Sequence, residues 1–569
     1  MNTQLQTEAP LDDGARLLFD LFERNCRAYP DAECLVDPSD RSRIAEGVPQ
    51  RLTWAQISQR VDRMALTLVD HKVGKGDVVL SVAPTLHETL VVQLACLRLG
   101  VILAQVPVQY REAEIASFTD RLRPRVLIGH KRLGKHAHAA MLRQIANAHD
   151  APVTVMAYGG DVPDGVVDLD ANAALALDEQ EAARLDAAIV RADMQPDDDA
   201  FIVFTSGTSA APKAIPRTQQ DLFDMRTFLT DAARLSVGGG FLCPRMLNTI
   251  GAVANGIASW LYSSARIILH HPFDIEVFLE QIAQEKPEVT SCPPAILTTM
   301  LQRIDAGAEV DLSSLHHITT GSAQLNPQLM IDFRDRFGIA LVNVFGSSEG
   351  VMLLASEDDI PDAEDRAHYF PRLGNGPCPS TLGILANYQT RLVDPATERE
   401  VHSADVIGEL RVKCQTILRH YWDDPKGTQD AFDADGWFRT GDLFAYAGDN
   451  CAYLRFVGRL KHIIVRGGLN ISAEEVQAFV QSHPAVSEVV AVAVPDDKMG
   501  EKVGVAVTLR PGASLTLPDL CDHLKTEAKI AVFKLPEHLR VLDALPVLPS
   551  GKTDPSAVRA LFAPQADNG

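Results

Sequence analysis

Ala200-Phe201-Ile202-Val203-Phe204-Thr205-Ser206-Gly207-Thr208-Ser209-Ala210-Ala211-Pro212-Lys213 is an apolar run of strand length that breaks into hydroxyls, small residues and one lysine. An apolar run of four to eight residues bounded by turn signals reads as a buried strand. Runs of the same kind recur at Arg125-Val126-Leu127-Ile128-Gly129, Arg266-Ile267-Ile268-Leu269 and Leu341-Val342-Asn343-Val344-Phe345. Longer stretches lie between them, such as Glu88 to Leu99, whose near-continuous apolar character suits a helix buried between layers. Strands alternating with helices predict an α/β fold with mostly parallel sheets. Ligands in such sheets bind in loops at the carboxyl ends of strands, which is where residues 205–213 fall.

Composition narrows the classes. The chain has 569 residues with 46% hydrophobic and 22% charged, close to the globular average and too long for one ordinary core. Its net charge of −22 argues against a nucleic-acid binder. The N-terminus MNTQLQTEAPLDDG has neither the basic nor the apolar region of an export signal. The longest apolar stretch, Val78 to Val108, is interrupted by His87, Glu88 and Arg98, and reads as strand–helix–strand rather than a membrane span. Nine scattered cysteines with no C-x-x-C pair suit reduced thiols rather than a disulfide framework or zinc site. A soluble, cytoplasmic protein is expected.

A boundary falls near residue 460. The remaining tail is long enough for a small domain. It opens with Ser472-Ala473-Glu474-Glu475, a capping-box pattern, followed by Val476, Phe479 and Val480 at helical spacing. Two strand-like runs, Val489 to Val494 and Val503 to Leu509, and a helical segment near Leu520 complete a compact α+β unit. The predicted division is 1–458, a hinge at 459–462 and a small mobile unit at 463–569. The stretch from Asp168 to Asp199 reads as a surface helix and linker.

Hydroxyls in series, backbone amides freed by small residues and one lysine are what a triphosphate needs. Read alone, 205–213 suits either such a cradle or an ordinary Ser/Thr turn. It is not a Walker A loop, and Gly551-Lys552-Thr553 is not one either, because Pro546 occupies the place of the first glycine. Four further blocks follow in order: Asn343-Val344-Phe345-Gly346-Ser347-Ser348-Glu349, Asp435-Gly436-Trp437-Phe438-Arg439-Thr440-Gly441-Asp442-Leu443, Phe456-Val457-Gly458-Arg459-Leu460-Lys461, and Leu545-Pro546 through Ser550-Gly551-Lys552. Together with 205–213 they resemble the motifs of the adenylate-forming superfamily of acyl- and aryl-CoA ligases, adenylation domains and luciferases. The family has a large multi-subdomain N-terminal domain and a small mobile lid.

The resemblance implies a role for each block. Glu349 holds magnesium, while Ser348, the hydroxyls of Thr205, Ser206, Thr208 and Ser209, Gly207 and Lys213 contact the phosphates of ATP. Asp442 accepts the ribose hydroxyls and Arg459 lies beside them. Gly321-Ser322-Ala323 packs on the adenine and the acid, with Asn343, Phe345 and Gly346 completing the nucleotide pocket. Lys552 is the catalytic residue, an ammonium that can bridge carboxylate, α-phosphate and ribose oxygen. Lys461 is the hinge, and Gly467-Gly468 line the path of a thiol arm.

Ile215-Pro216-Arg217-Thr218 and Arg466-Gly467-Gly468 look nearest to stand-alone aryl-acid enzymes such as 2,3-dihydroxybenzoate–AMP ligase. In Pro244-Arg245-Met246-Leu247-Asn248-Thr249 the ring-contacting Asn is kept as Asn248, while Leu247 and Thr249 replace the group's His and Tyr. A roomier, more apolar pocket for an aromatic or alicyclic acid follows from that resemblance. No carrier segment follows the lid, so a separate acceptor is expected, and coenzyme A leads because CoA ligases are the commonest stand-alone members of the superfamily. An aryl-acid AMP ligase loading a separate carrier protein remains open. So does a thioester-forming enzyme with weakened adenylation, since Ala210 and Ala214 stand where the family has glycines. The expected assembly is a monomer or homodimer.

Overall fold

The computed structural model describes residues 14–562 except 83, 206–211, 322–324, 375, 377–379, 467–468, 497, 529 and 549–551. These residues form four sheets. The largest has eight strands in the order Met352–Ala355, Ala340–Gly346, His317–Gly321, Val289–Ser291, Gly240–Cys243, Arg266–Leu269, Glu33–Val36 and Arg51–Thr53. Its six inner strands are parallel and both edge strands antiparallel. The second sheet runs Val167–Asp168, Thr154–Tyr158, Val126–His130, Val78–Val82, Ile102–Val106, Asp199–Phe204 and Ala214–Thr218, parallel except for the last pair.

The predicted strand–helix–strand from Val78 is present, with the helix His87–Leu99 between two fully buried strands. Every residue of that helix but Arg98 is buried, which is why it lacks an amphipathic pattern. The two parallel sheets share one core, in which Trp54 stacks on Trp260 at 5.1 Å and the Trp260 indole N–H donates to the Cys34 carbonyl. The surface helix predicted after Asp168 is Glu179–Ala192, which buries only Leu185 and Ala192.

The third sheet is antiparallel throughout: Tyr369–Pro371, Tyr453–Arg459, Phe438–Ala447, Ile407–Lys413, Gln389–Val393 and Glu400–Val401. It adds an antiparallel layer to the otherwise mostly parallel expectation. Turns too short to hold a crossover helix link most of these strands, and they dictate antiparallel pairing.

After Arg459 the chain makes a short turn, Leu460–His462, and enters the fourth sheet. Its strands are Leu469–Ser472, Ile463–Arg466, Gly500–Leu509 and Val486–Asp496, with His538–Val541 parallel to Gly500–Leu509. The helix Ala473–Gln481 begins where the capping pattern places it, the Ser472 hydroxyl accepting from the Glu475 N–H at 3.1 Å. This unit has its own core, built around Ile464, Val476, Val505 and Leu520. The eight described cysteines are all free. No helix among the described residues is long and apolar enough to cross a membrane.

Candidate active site

The strand ends of the two parallel sheets and one edge of the antiparallel sheet supply the site. The loop after Asp199–Phe204 is closed at its base by two hydrogen bonds. The Thr205 N–H donates to the Lys213 carbonyl at 3.0 Å, and the Lys213 N–H to the Thr205 hydroxyl at 3.1 Å. Ser206, Gly207, Thr208 and Ser209 between them lie outside the described residues, as do Ser322, Ala323, Gly467 and Gly468. Ala214 is the buried first residue of the returning strand, paired with Phe204. Its ordinary extended backbone carries a methyl without strain, so a glycine is not required there.

Lys213 places its ammonium 4.0 Å from the centre of the Tyr421 ring, and the Tyr421 hydroxyl donates to Glu349 Oε1 at 3.3 Å. Burial, followed by the charge of Glu349, pushes the Tyr421 pKa up and keeps that hydroxyl a donor. Glu349 rides on a turn in which the Gly350 N–H donates to Ser347 O and the Glu349 N–H to Ser347 Oγ. Gly350 has φ +103°, and a Cβ there would lie 1.8 Å from the Thr416 carbonyl oxygen, so only glycine fits. The Leu418 N–H donates to Glu349 O at 2.8 Å. Segment 416–421 thus braces Glu349 through backbone and side chain alike.

Ser348 is half-buried next to Glu349 and Gly346 is exposed. The half-buried Phe345 ring packs edge-on to Phe444 at 5.1 Å and lies tilted to Phe456 at 5.5 Å. The buried Asn343 donates to the Arg366 and Ala367 carbonyls at 3.1 and 3.2 Å, tying a neighbouring helix to the strand. Gly321 closes the adjacent strand so tightly that a Cβ would fall 2.0 Å from the Val344 oxygen.

Asp442 and Arg459 are cross-strand partners in the antiparallel sheet, with Arg459 Nε 2.9 Å from Asp442 Oδ1. Asp442 is 2% exposed, whereas the Arg459 side chain is half open to solvent. Burial raises the Asp442 pKa to about 6, opposed by Arg459 and reinforced by Glu349 and Glu474. Lys552 projects from a small turn in which the Leu548 N–H donates to the Lys552 carbonyl and Val547 bridges Thr553. Its side chain keeps access to water along the cleft, yet crowding lowers its pKa, followed by the positive charges of Arg459 and Arg245.

Leu247 is wholly buried in the main core, its carbonyl accepting from Gln93 Nε2, and presents no open pocket wall. Asn248 is half-buried, and its side-chain oxygen is enclosed without a hydrogen-bond partner among the described residues. Lys461 is exposed in the turn between the antiparallel sheet and the C-terminal unit. Tyr421 and Arg245 were not singled out from sequence. Tyr421 lies outside the quoted blocks and Arg245 carries no role within Pro244–Thr249, and only the fold reveals their neighbours.

Lys213 and Glu349 thus share Tyr421, and Asp442 pairs with Arg459 across the antiparallel sheet. A buried carboxylate beside a half-exposed arginine suits a diol on a polyanion. Glu349 meets a single side-chain donor among the described residues, which leaves oxygen capacity for a hard divalent cation.

The profile of the AMP-binding enzyme family matches residues 22–422, and that of the AMP-binding enzyme C-terminal domain residues 475–552. The chain is 32% identical over 546 residues to a 2-hydroxy-7-methoxy-5-methyl-1-naphthoate–CoA ligase of Streptomyces carzinostaticus, covering 94% of this chain and 91% of that protein. It is 28% identical to a salicylyl-CoA synthase / salicylate adenylyltransferase of a Streptomyces species, covering 91% and 90%. Among solved structures, ATP-bound MatB from Rhodopseudomonas palustris superposes with a TM-score of 0.77 at 23% identity, covering 96% of this chain and 99% of that one. An anthranilate CoA ligase in complex with anthranoyl-AMP gives a TM-score of 0.77 at 20% identity, covering 96% and 97%. With its profile matched over most of the chain, the protein belongs to the AMP-binding enzyme family.

Proposed function

We propose that the protein is an AMP-forming acid–coenzyme A ligase acting on an aromatic or alicyclic carboxylic acid. The observation that supports this reading is a buried Asp442 paired with Arg459 across the antiparallel sheet, together with a Glu349 carboxylate held by Tyr421, whose ring also carries the Lys213 ammonium. The named relatives support the acid class: they act on a naphthoate, a salicylate and, in a Rhodococcus jostii ligase 28% identical to this chain, a propanoate borne on a bicyclic ring.

In the first half-reaction Asp442 accepts hydrogen bonds from the ribose hydroxyls, with Arg459 holding the carboxylate in place. Lys213 and the Thr205 loop hold the outer phosphates. Glu349 would hold magnesium, which would supply positive charge at the phosphates. The Lys552 ammonium bridges the acid's carboxylate and the α-phosphate, where negative charge concentrates as the bond forms. A carboxylate oxygen attacks the α-phosphorus, the bond to the β-phosphate oxygen breaks, and pyrophosphate leaves with the electron pair.

In the second, the C-terminal unit turns about Lys461 and the thiol reaches the adenylate past Gly467-Gly468. Sulfur attacks the acyl carbon, AMP leaves, and the thiol proton passes to solvent. A short turn between two sheets is the element that absorbs such a change.

Acid-dependent ATP–pyrophosphate exchange, with magnesium and no thiol, tests the reading across benzoates, naphthoates, cyclohexane carboxylates and fatty acids. Exchange with ring acids, followed by thioester on adding coenzyme A, is expected. Lys552→Ala should cut exchange about 10²- to 10⁴-fold while thioester formation from a supplied acyl-adenylate persists. Exchange with fatty acids alone refutes the ring-acid reading, and thioester formation only on a carrier protein refutes coenzyme A as acceptor.

A further inference from the structure

Arg245 is a cation with no acid. It lies one residue past Pro244, at the carboxyl end of the strand Gly240–Cys243, in the middle of the eight-stranded sheet. Its Nε donates to Ser291 Oγ at 2.8 Å, at the end of the neighbouring parallel strand Val289–Ser291. The Thr85 hydroxyl holds its carbonyl at 3.3 Å. A Cβ on Gly251 would stand 3.7 Å from Nη1, which shows the fork reaching toward that glycine. No carboxylate lies within ion-pairing distance among the described residues, and the loop stretches 206–211 and 322–324 contain no acidic residue. Its neighbours include the thiols of Cys243 and Cys292, which burial keeps protonated and uncharged.

A half-buried guanidinium without a counter-ion among the described residues is costly, and at the strand ends where such sheets bind ligands the missing anion or acceptor belongs to the ligand. The reacting carboxylate is a poor candidate. Arg245 is anchored on Ser291 and cannot follow that carboxylate to phosphorus, and a ground-state ion pair on the nucleophile would oppose its attack. An oxygen beside the carboxylate, which does not react, has no such conflict. Asn248 Oδ1, enclosed and unpaired three residues on, adds an acceptor for a hydroxyl at the same loop.

We propose that Arg245 is the specificity-determining residue of the acid pocket, its guanidinium holding a second oxygen function that the acid carries close to its reacting carboxylate. The proposal rests on the acid–coenzyme A ligase reading and names the substrate class within it: ring acids with an adjacent hydroxyl or carboxylate. Arg245 acts here through its fixed donors, which match a planar or charged oxygen acceptor.

The test is ATP–pyrophosphate exchange by the full-length protein on matched acids: benzoate against salicylate and phthalate, cyclohexanecarboxylate against its 2-hydroxy and 1,2-dicarboxylate forms, and propionate against malonate. The oxygenated member should be favoured about 10- to 100-fold in kcat/KM, mainly through KM. Arg245→Met should bring the ratio to about 1, and Arg245→Lys should keep part of it. Preference in the hydroxy arm alone identifies a hydroxyl, and in the dicarboxylate arm alone a second anion. Thermal melts establish that the variants fold, and the wild-type ratio tests the proposal without any variant.

Equal kcat/KM within every wild-type pair overturns the proposal. So does an Arg245→Met enzyme whose kcat falls alike on both members with the ratio intact, because Arg245 would then serve the reacting groups. Failure of the parent reading looks different. Malonate favoured over propionate with all ring acids silent removes the ring class and leaves Arg245's role standing. Exchange without any coenzyme A thioester removes the acceptor and leaves the ratio intact.

Discussion

Asp442→Asn should make the protein more stable and less active. Asp442 is buried, and its pKa is raised from 3.8 to about 6. The folded chain therefore holds this proton more tightly than the unfolded chain, so ionisation works against the fold. Stability from this residue is full below about pH 4, declines as the pH rises through 6, and is lost above that. A shift of roughly two units corresponds to about 3 kcal/mol. Only the half-exposed Arg459 offsets it directly, so an uncharged isostere loses little there. Guanidinium unfolding of the two proteins should show a gap of up to about 3 kcal/mol at pH 8, shrinking to about half that at pH 5. Nucleotide binding should move the other way, weakening about 10- to 100-fold in the variant, because the ribose hydroxyls lose a charged acceptor. In the wild type the same affinity should fall about fivefold between pH 6 and pH 5. An Asn variant no more stable than wild type at pH 8, or a gap flat with pH, would refute the reasoning.

Tyr421→Phe removes the hydroxyl that meets Glu349 Oε1 at 3.3 Å but keeps the ring beneath Lys213. The magnesium concentration giving half-maximal exchange should change by about 2- to 10-fold, with ATP affinity moving less. Gly350→Ala forces a Cβ against the Thr416 carbonyl at a positive φ, and should cost about 1–3 kcal/mol in unfolding measurements and weaken the magnesium dependence as the Glu349 turn shifts. Lys461→Pro stiffens the turn between the antiparallel sheet and the C-terminal unit. It should spare pyrophosphate exchange and cut thioester formation about 100-fold or more, measured separately on supplied adenylate.

Local chemistry was legible in the sequence wherever it was continuous along the chain. The run Ala200–Phe204, the apolar helix after His87 and the Ser472 cap are all decided by neighbours a few residues away, and each lies where its pattern placed it. What the sequence withheld depends on long-range packing. Tyr421 is 72 residues from Glu349, and nothing around it marks it as a ligand's neighbour. Leu247 stands in a motif that resembles a pocket wall, but the packing of the helix His87–Leu99 behind it covers its side chain. Asn343 falls inside a block that resembles a nucleotide-binding motif, yet its amide is engaged by the Arg366 and Ala367 carbonyls of the helix Ala363–His368. The lone arginine in Pro244–Thr249 was visible as a letter, while its lack of an acidic partner is a fact of three dimensions.

The brace on Glu349 has a consequence for inheritance. The Glu349 turn at 347–350 follows a strand of the eight-stranded sheet, and the segment 416–421 that fixes it follows a strand of the antiparallel sheet. Because the Thr416 carbonyl leaves no room for a side chain at Gly350, the two segments can drift only together. A recombination crossover placed between residues 350 and 416 would join a turn from one parent to a brace from another. Gene shuffling among homologues should therefore recover active progeny far more often when both segments descend from the same parent.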